Sequence, residues 1–513
     1  MELLEDPPVA VKIRRMRERV AWGHPLVAAR DIDQTGLALA DAQGDEEAFS
    51  FLVVGDTGAG ARFGYNPQRR VAELLLKQRD GCRFLLHTGD VVYLVGSSEF
   101  YGPNFVEPYR EYLRRNGGLP RYDKMVFEFP FLPVPGNHDY YDLTLVAGIV
   151  AFTTWPLRSL LRSRLDLDVG RRGSNQGRVY AKAFLDCLSR LDEDDLAAHL
   201  DRHYTANLGG RRCLAYRPGQ FTRLPNRYYR FRAGGIDFFA LDSNTLNAPA
   251  PLPDTREGNE FRRALEARAI ELDRKRHQLM EKSLKLDRDD PDEADDLDDL
   301  RTRLQQLDEQ HRDVEKQLNS DETTEVDVEQ LEWLRQGLVA SWQDPRSRGR
   351  VVFLHHPPYV TEATKWQQAQ TLAIRRRLRR TLDRVATEVG EAARGRPLVD
   401  LMFTGHAHCL EYLTTLDTGH GDAHVPVLVC GGSGFSLRRQ RPEGPELFEE
   451  GRPVATSHLF VSREGSGREM RKPYSCLRVD VQPGNPPRYC VRPFVAEQCG
   501  RQWKEYALAS FTL

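Results

Sequence analysis

The chain is 513 residues long and has little net charge, no long apolar run and no regular cysteine spacing. Lysine plus arginine number 73 against 75 acidic residues, a formal charge of -2, so the chain as a whole offers no electrostatic argument for nucleic acid. The most apolar stretch, Leu143 to Leu157, falls short of the roughly twenty residues that cross a bilayer. It contains Gly148, Thr153, Thr154 and Pro156 and runs into Arg158, Arg162 and Arg164. A helix over the rim of a site is the preferred reading, and contact with a membrane surface is the competing one. Met1 to Arg19 is charged throughout and lacks the apolar core of a secretory signal. The eight cysteines form no Cys-x-x-Cys pair, which in a chain this long reads as free thiols and a cytoplasmic location.

What the chain does have is five short polar motifs, each following an apolar run. Phe51 to Val54 leads into Gly55-Asp56-Thr57-Gly58, Phe84 to Leu86 into Gly89-Asp90-Val91-Val92-Tyr93, and Phe131 to Val134 into Gly136-Asn137-His138-Asp139. Val351 to Leu354 leads into His355-His356-Pro357, and Leu401 to Phe403 into Gly405-His406-Ala407-His408. Such runs, alternating with helical stretches, read as buried strands of a largely parallel α/β core, whose ligands gather at the strands' carboxyl ends. Asp56, Asp90, Tyr93, Asn137, His355, His406 and His408 would then share one edge. Carboxylates buried without a partner are costly, and a metal is one of the ways out. Seven donors exceed the needs of one ion, and two ions sharing a bridging carboxylate would use them all.

The ordered set GDTG, GDVVY, GNHD, a histidine before a proline, and GHAH resembles the calcineurin-like metallophosphoesterase superfamily. It is most similar to the purple acid phosphatase branch. Where the common pattern has Asp-x-His, position 58 is Gly, and Tyr93 stands three residues after Asp90. The resemblance implies a four-layer αββα sandwich. It puts Asp56, Asp90, Tyr93 and His408 on one ion and Asp90, Asn137, His355 and His406 on the other. It further implies Fe(III) beside the Tyr93 phenolate and Fe(II), Zn(II) or Mn(II) at the second place. By the same resemblance a metal-bound hydroxide attacks a phosphomonoester while His138 assists the leaving group or binds a phosphoryl oxygen, with Asp139 expected to orient that ring. Of the pair His355 and His356, strand alternation sends one side chain away from the ions, and the family pattern favours His355. The alternatives are a phosphodiesterase acting on a nucleotide or lipid headgroup, and a non-catalytic scaffold.

Along the chain, residues 1–49 read as an irregular arm with one short helix, 50–254 as the first half of the core and 326–513 as the second. Within the first half, the stretch from Tyr140 to about Thr222 (the lid insertion, about 141–222) reads as helical and as the seat of substrate choice. Tyr228 to Arg232 and Ile236 to Asp242, joined by Ala233-Gly234-Gly235, read as a hairpin. Between the halves, in 255–325, Leu265, Leu272, Leu279 and Leu286 recur every seven residues, and Leu300, Leu304, Leu307, His311, Val314 and Leu318 at alternating four and three. With Asp289-Asp290-Pro291-Asp292 as the break, this is an antiparallel coiled-coil hairpin, serving a protein partner, self-association or only itself. Arg375, Arg376, Arg377, Arg379 and Arg380 lie on one helix and read as a solvated face, with an anionic surface as the alternative. The segments after His408 read as strands of a second, more antiparallel sheet, and Gly431 to Phe435 as a turn that either lines the pocket or only reverses the chain.

Overall fold

A computed structural model of the protein describes residues 4–40, 46–60, 65–144, 173–283, 285–286, 291–466 and 469–513. It is a mixed α/β fold built on two sheets. One has seven strands, with β1 (Phe49–Val54), β2 (Cys82–His87) and β3 (Phe131–Pro133) parallel to one another. The other has eleven, and its centre is the parallel set β4 (Ile236–Ala240), β5 (Gly349–Phe353), β6 (Leu401–Thr404) and β7 (Pro426–Cys430). The sheets meet through aromatic rings: Phe51 and Phe84 from the first lie edge-on to Phe238 of the second at 5.6 and 5.3 Å between centroids. Every residue of β1, β2, β4, β5 and β6 is buried, which is why these strands are mostly apolar in sequence rather than alternating.

Helices cover the outer faces. α1 (Pro67–Gln78) starts where Asn66 accepts from the Arg69 N–H and Pro67 takes the first turn. α4 (Val328–Gln343) and α5 (Ala369–Val389) bury Leu334, Leu338, Ile374, Leu378 and Leu382 together with Phe239, Val352 and Met402 of the large sheet. Between β4 and β5 the chain makes two 28-residue helices that lie against each other, α2 (Arg256–Ser283) and α3 (Pro291–Leu318). Leu272 is buried and Leu265, Leu279, Leu304, Leu307 and Leu318 are half-buried along the seam between the two helices. Asp289 and Asp290 of the expected break lie outside the described residues.

Several expectations are corrected. The first fifty residues are not an irregular arm, because Ile32–Leu39 is a buried strand of the large sheet. The stretch after Tyr140 is only partly helical, since Arg211–Tyr216 and Ala206–Leu208 extend the same sheet. Leu143 to Leu157, apart from Leu143 and Thr144, lies outside the described residues, as does the rest of 145–172. The segments after His408 do not form a separate sheet. Leu410–Thr415 and Arg452–Val461 continue the large sheet, while Arg471–Gln482 and Arg488–Cys499 continue the small one from the free edge of β1. Alternation in sequence shows that a strand has an exposed side but does not say which sheet edge receives it. The arginines of α5 form a solvated face only in part: Arg376 and Arg380 are exposed, whereas Arg375 is buried, pairs with Glu449 at 2.7 Å and stacks on Trp366 at 3.9 Å, and Arg379 pairs with Asp422 at 2.9 Å.

The hairpin Tyr229–Ala233 to β4 does form, with Gly234 and Gly235 both at positive φ, the two-residue turn that suits strand twist. All eight cysteines are free, and no helix among the described residues is long and apolar enough to cross a membrane.

One polar knot ties the layers together. Arg227, 1% exposed, pairs with Asp242 at 3.2 Å and with Asp327 at 2.5 Å, while Tyr140 donates to Asp242 at 2.7 Å. The knot joins the end of β4, the loop of the third motif and the residue that caps α4. Arg227→Met leaves two buried carboxylates without their cation and should cost about 3–5 kcal/mol. A thermal melt checks this, and an unchanged midpoint refutes it.

Candidate metal centre

Each expected donor sits in the turn that leaves a strand end. Asp56, Asp90 and His406 adopt left-handed backbone at φ 56°, 56° and 64°, a conformation that costs a non-glycine residue about 1–3 kcal/mol and that persists only where the surroundings enforce it. The surroundings are the other motifs. Asp56 N–H donates to the Gly89 carbonyl at 2.9 Å, His406 N–H to the Asp56 carboxylate at 2.9 Å, and His138 N–H to Asp90 Oδ1 at 2.9 Å. Gly58 has a reason of its own: a Cβ there would lie 2.1 Å from the Val91 carbonyl oxygen. The backbone that brings Tyr93 to the site therefore fills the space in which a side chain at position 58 would begin.

The donors converge in two groups. Tyr93 Oη lies 2.9 Å from Asp56 Oδ1, 2.8 Å from Asp90 Oδ2 and 3.3 Å from His408 Nε2, and His408 Nε2 is 3.6 Å from Asp56 Oδ1. On the other side of Asp90, its Oδ2 is 3.4 Å from His355 Nε2, which is 2.8 Å from Asn137 Oδ1. Asp90 thus stands between the groups. All seven residues are buried. The ring nitrogens His355 Nδ1 and His408 Nδ1 face the carbonyls of Thr88 and Ser436, both at 2.8 Å, leaving Nε2 turned inward.

The electrostatics of this cluster without a cation are unfavourable. Burial pushes the Asp56 carboxyl up to about 8, with His355 opposing and the charge on Asp90 adding. Burial followed by the two carboxylates drives the Tyr93 phenol well above its ordinary value. Burial also acts on Asp90, yet His355 and His138 beside it hold it below the usual carboxylate range. His355 is raised to about 9, because Asp90 outweighs the burial that opposes protonation. A cation between these oxygens reverses each penalty, and the donor chemistry of Asp56, Asp90, Tyr93 and His408 fits one. On the second side Asp90, Asn137 and His355 fit likewise. His406 Nε2 is engaged by Lys365 Nζ at 2.9 Å, so its use as a donor requires that lysine to shift.

Three arrangements differ from the expected ones. Asp139 does not orient His138: its carboxylate accepts from Val91 N–H at 3.2 Å and Gly136 N–H at 2.9 Å, and the His138 ring is held by the Leu94 carbonyl at 2.5 Å. Asp139 thus braces the backbone of two motifs. His356 is not turned away, because β5 ends at Phe353 and strand alternation no longer governs residues 355 and 356. Its ring lies 4.4 Å from that of His406, and ring nitrogens of His355, His356 and His406 come within 4.8 Å of one another. Ser243 Oγ holds His356 Nδ1 at 2.8 Å. Phe435 of the glycine-rich turn stacks on Tyr93 at 3.7 Å between centroids, so this turn does pack on the site.

Sequence reasoning missed Lys365, Arg438 and Glu309. Lys365 and Arg438 are fully buried beside His406 and His408, and Glu309 of α3 bridges them. No motif marks them, although Arg438 lies three residues beyond Phe435. A cavity of about 510 Å3 opens onto His406 between the N-terminal residues, Tyr141 and Arg312 and Lys316 of α3. α3 of the inserted pair therefore forms much of the wall of this cavity, with Tyr141 and Thr144 beside it.

The model of the calcineurin-like phosphoesterase family matches residues 49–241, the segment that carries the first three motifs. Similar solved structures include a purple acid phosphatase, PPD1, from yellow lupin (Lupinus luteus) seeds, at 10% identity and a TM-score of 0.42 over 91% of this chain and 54% of that one. The chain thus spans about half the length of the lupin protein. Others are GAP50, described as the anchor in the inner membrane complex of Plasmodium, at 11% identity and 0.37 over 91% and 88%, and PhoD, at 10% and 0.39 over 91% and 69%. No curated protein matches the chain in sequence.

Proposed function

We propose that this protein hydrolyses phosphomonoesters at a dinuclear metal centre. The observation that carries this reading is the buried convergence of Asp56, Tyr93 and His408 on one side of Asp90, and of Asn137 and His355 on the other. Asp56, Asp90, Tyr93 and His408 would hold one ion, and Asp90, Asn137, His355 and His406 the second. Bound there, two ions neutralise phosphoryl oxygens and make a water acidic enough to serve as nucleophile near neutral pH. The Tyr93 phenolate, a hard anionic donor, favours Fe(III) at the first place, with Fe(II), Zn(II) or Mn(II) at the second. His138, whose Nε2 is 4.0 Å from Asp90 Oδ2, is placed to donate a proton to a departing oxygen or to bind a phosphoryl oxygen, with Leu94 fixing the ring. Eight free thiols support a reducing, cytoplasmic setting.

The test is metal content and visible absorption of freshly purified protein beside Tyr93→Phe. About one equivalent of iron or more, with a charge-transfer band that vanishes in the variant, is expected. A colourless protein holding two divalent ions and no iron would overturn the phenolate–iron assignment, and faster turnover of diesters than of monoesters would overturn the substrate class.

A further inference from the structure

Lys365 and Arg438 are both 0% exposed and come from loops that follow different strands, β5 and β7. Lys365 Nζ is 2.9 Å from His406 Nε2, and the Arg438 backbone N–H donates to the His408 backbone carbonyl at 3.0 Å, so both residues are held beside donors of the candidate centre. Their counter-charge comes from neither loop. Glu309 of α3 places its carboxylate 2.6 Å from Lys365 Nζ and 2.7 Å from one Arg438 nitrogen, its second oxygen meeting the other nitrogen. The guanidinium and carboxylate meet fork to fork, the geometry with which arginine holds any two-oxygen anion. Burial opposes ionisation of Glu309, yet Arg438 and Lys365 hold its carboxyl well below the ordinary range.

Two cations are paired here with one monoanion. The next carboxylate, Glu362, is taken up by Thr364 and Gln306. Arg438 Nε, buried, has no hydrogen-bond partner among the described residues. An occupant with two charges and more than two oxygens would satisfy this pair of cations better than a carboxylate does. α3 is meanwhile anchored on both sides of Glu309 by contacts independent of it. Thr302 bonds Ser436 at 2.7 Å, and Asp313 accepts from the first N–H groups of α5, Ala369 at 2.7 Å and Gln370 at 3.0 Å. Glu309 also lines the cavity of about 510 Å3 that leads to His406.

We infer that Lys365 and Arg438 form a phosphoryl-binding seat beside the metal centre, and that Glu309, carried by the inserted helical pair, is its resident occupant, displaced when a phosphate group binds. The inference rests on the phosphoester reading and adds to it the residues that grip the anion and the element that restrains them. Substrate binding is then a competition with an internal carboxylate. If Glu309 fills the seat about nine-tenths of the time, removing its charge tightens phosphate binding about tenfold.

The experiment is calorimetric titration of the purified 513-residue chain with inorganic phosphate, comparing the native chain, Glu309→Gln, and Glu309→Gln combined with Lys365→Gln. The single variant is expected to bind phosphate about tenfold more tightly and the double variant no more tightly than the native chain. Equal or weaker binding by Glu309→Gln, or a double variant that keeps the gain, overturns the proposal. Ester turnover is read separately. Tightened phosphate binding without turnover of any ester would leave the seat standing and remove the catalytic reading, and turnover without tightening would do the reverse.

Discussion

Asp90→Asn is expected to abolish turnover, by at least about a thousandfold, while the chain still folds. The substitution retains an oxygen that can accept the His138 N–H, held at 2.9 Å in the native chain, so the turn survives. What disappears is the negative charge between the two donor groups, 2.8 Å from Tyr93 Oη and 3.4 Å from His355 Nε2. Asp90 is also what raises His355 against burial, so the variant should release that proton at lower pH. Metal analysis should find both equivalents reduced, because a shared oxygen serves both groups. A variant that keeps two ions, or most of its turnover, would show that Asp90 does not bridge.

The second large effect is a stability that runs against pH once metal is removed. Asp56, raised by burial to about 8, and Asp139, raised by burial and then by Asp90 to about 7, keep protons in the folded chain that the unfolded chain has lost. His355, held at about 9 by Asp90, does the same from its own ordinary range upward. Wherever the folded state binds more protons, stability falls with rising pH, by about 1.4 kcal/mol per unit for each such group. Burial moves His87 the other way, down to about 3, and with Lys365 and Arg438 it also lowers His406 and His408. Those groups cost stability as pH drops below about 6.5, where an unfolded histidine takes up its proton. Between pH 6.5 and 8, then, only the raised groups act. Chelator-treated protein should show a melting midpoint that falls steadily across this window, and that of metal-loaded protein should fall less steeply, since ions would hold the Asp56 carboxylate deprotonated while Asp139, which braces backbone and is no donor to them, still loses its proton there. A chelated midpoint that is level or rises would refute this account.

The strand-end motifs were legible because their grammar is local. Asp56, Asp90, Tyr93, Asn137, His355, His406 and His408 each follow an apolar run by a few residues, and a buried strand with a polar exit leaves that mark on any sequence. His356 was misjudged by a rule applied two residues too far, past the end of β5. Asp139 was assigned to its neighbour His138, whereas its bonds go to Val91 and Gly136, one of them in another motif. The C-terminal strands were recognised as strands, but edge choice depends on which partner is exposed in three dimensions. Lys365, Arg438 and Glu309 left no mark at all. Their meaning lies in a contact across 56 and 129 residues, and a lysine or an arginine taken singly looks like surface.

The pairing of β1 with Arg471–Gln482 places an order on the birth of the molecule. Ser50 and Asp480, joined at 2.6 Å, are 430 residues apart. At the roughly 5–20 residues per second of chain synthesis, the strand that carries Asp56 waits about 20 to 90 s on the ribosome before its neighbour on that side exists. The strand leading to the first-made candidate donor is thus completed by one made some 430 residues later, and until then an apolar strand edge has to be kept from other chains.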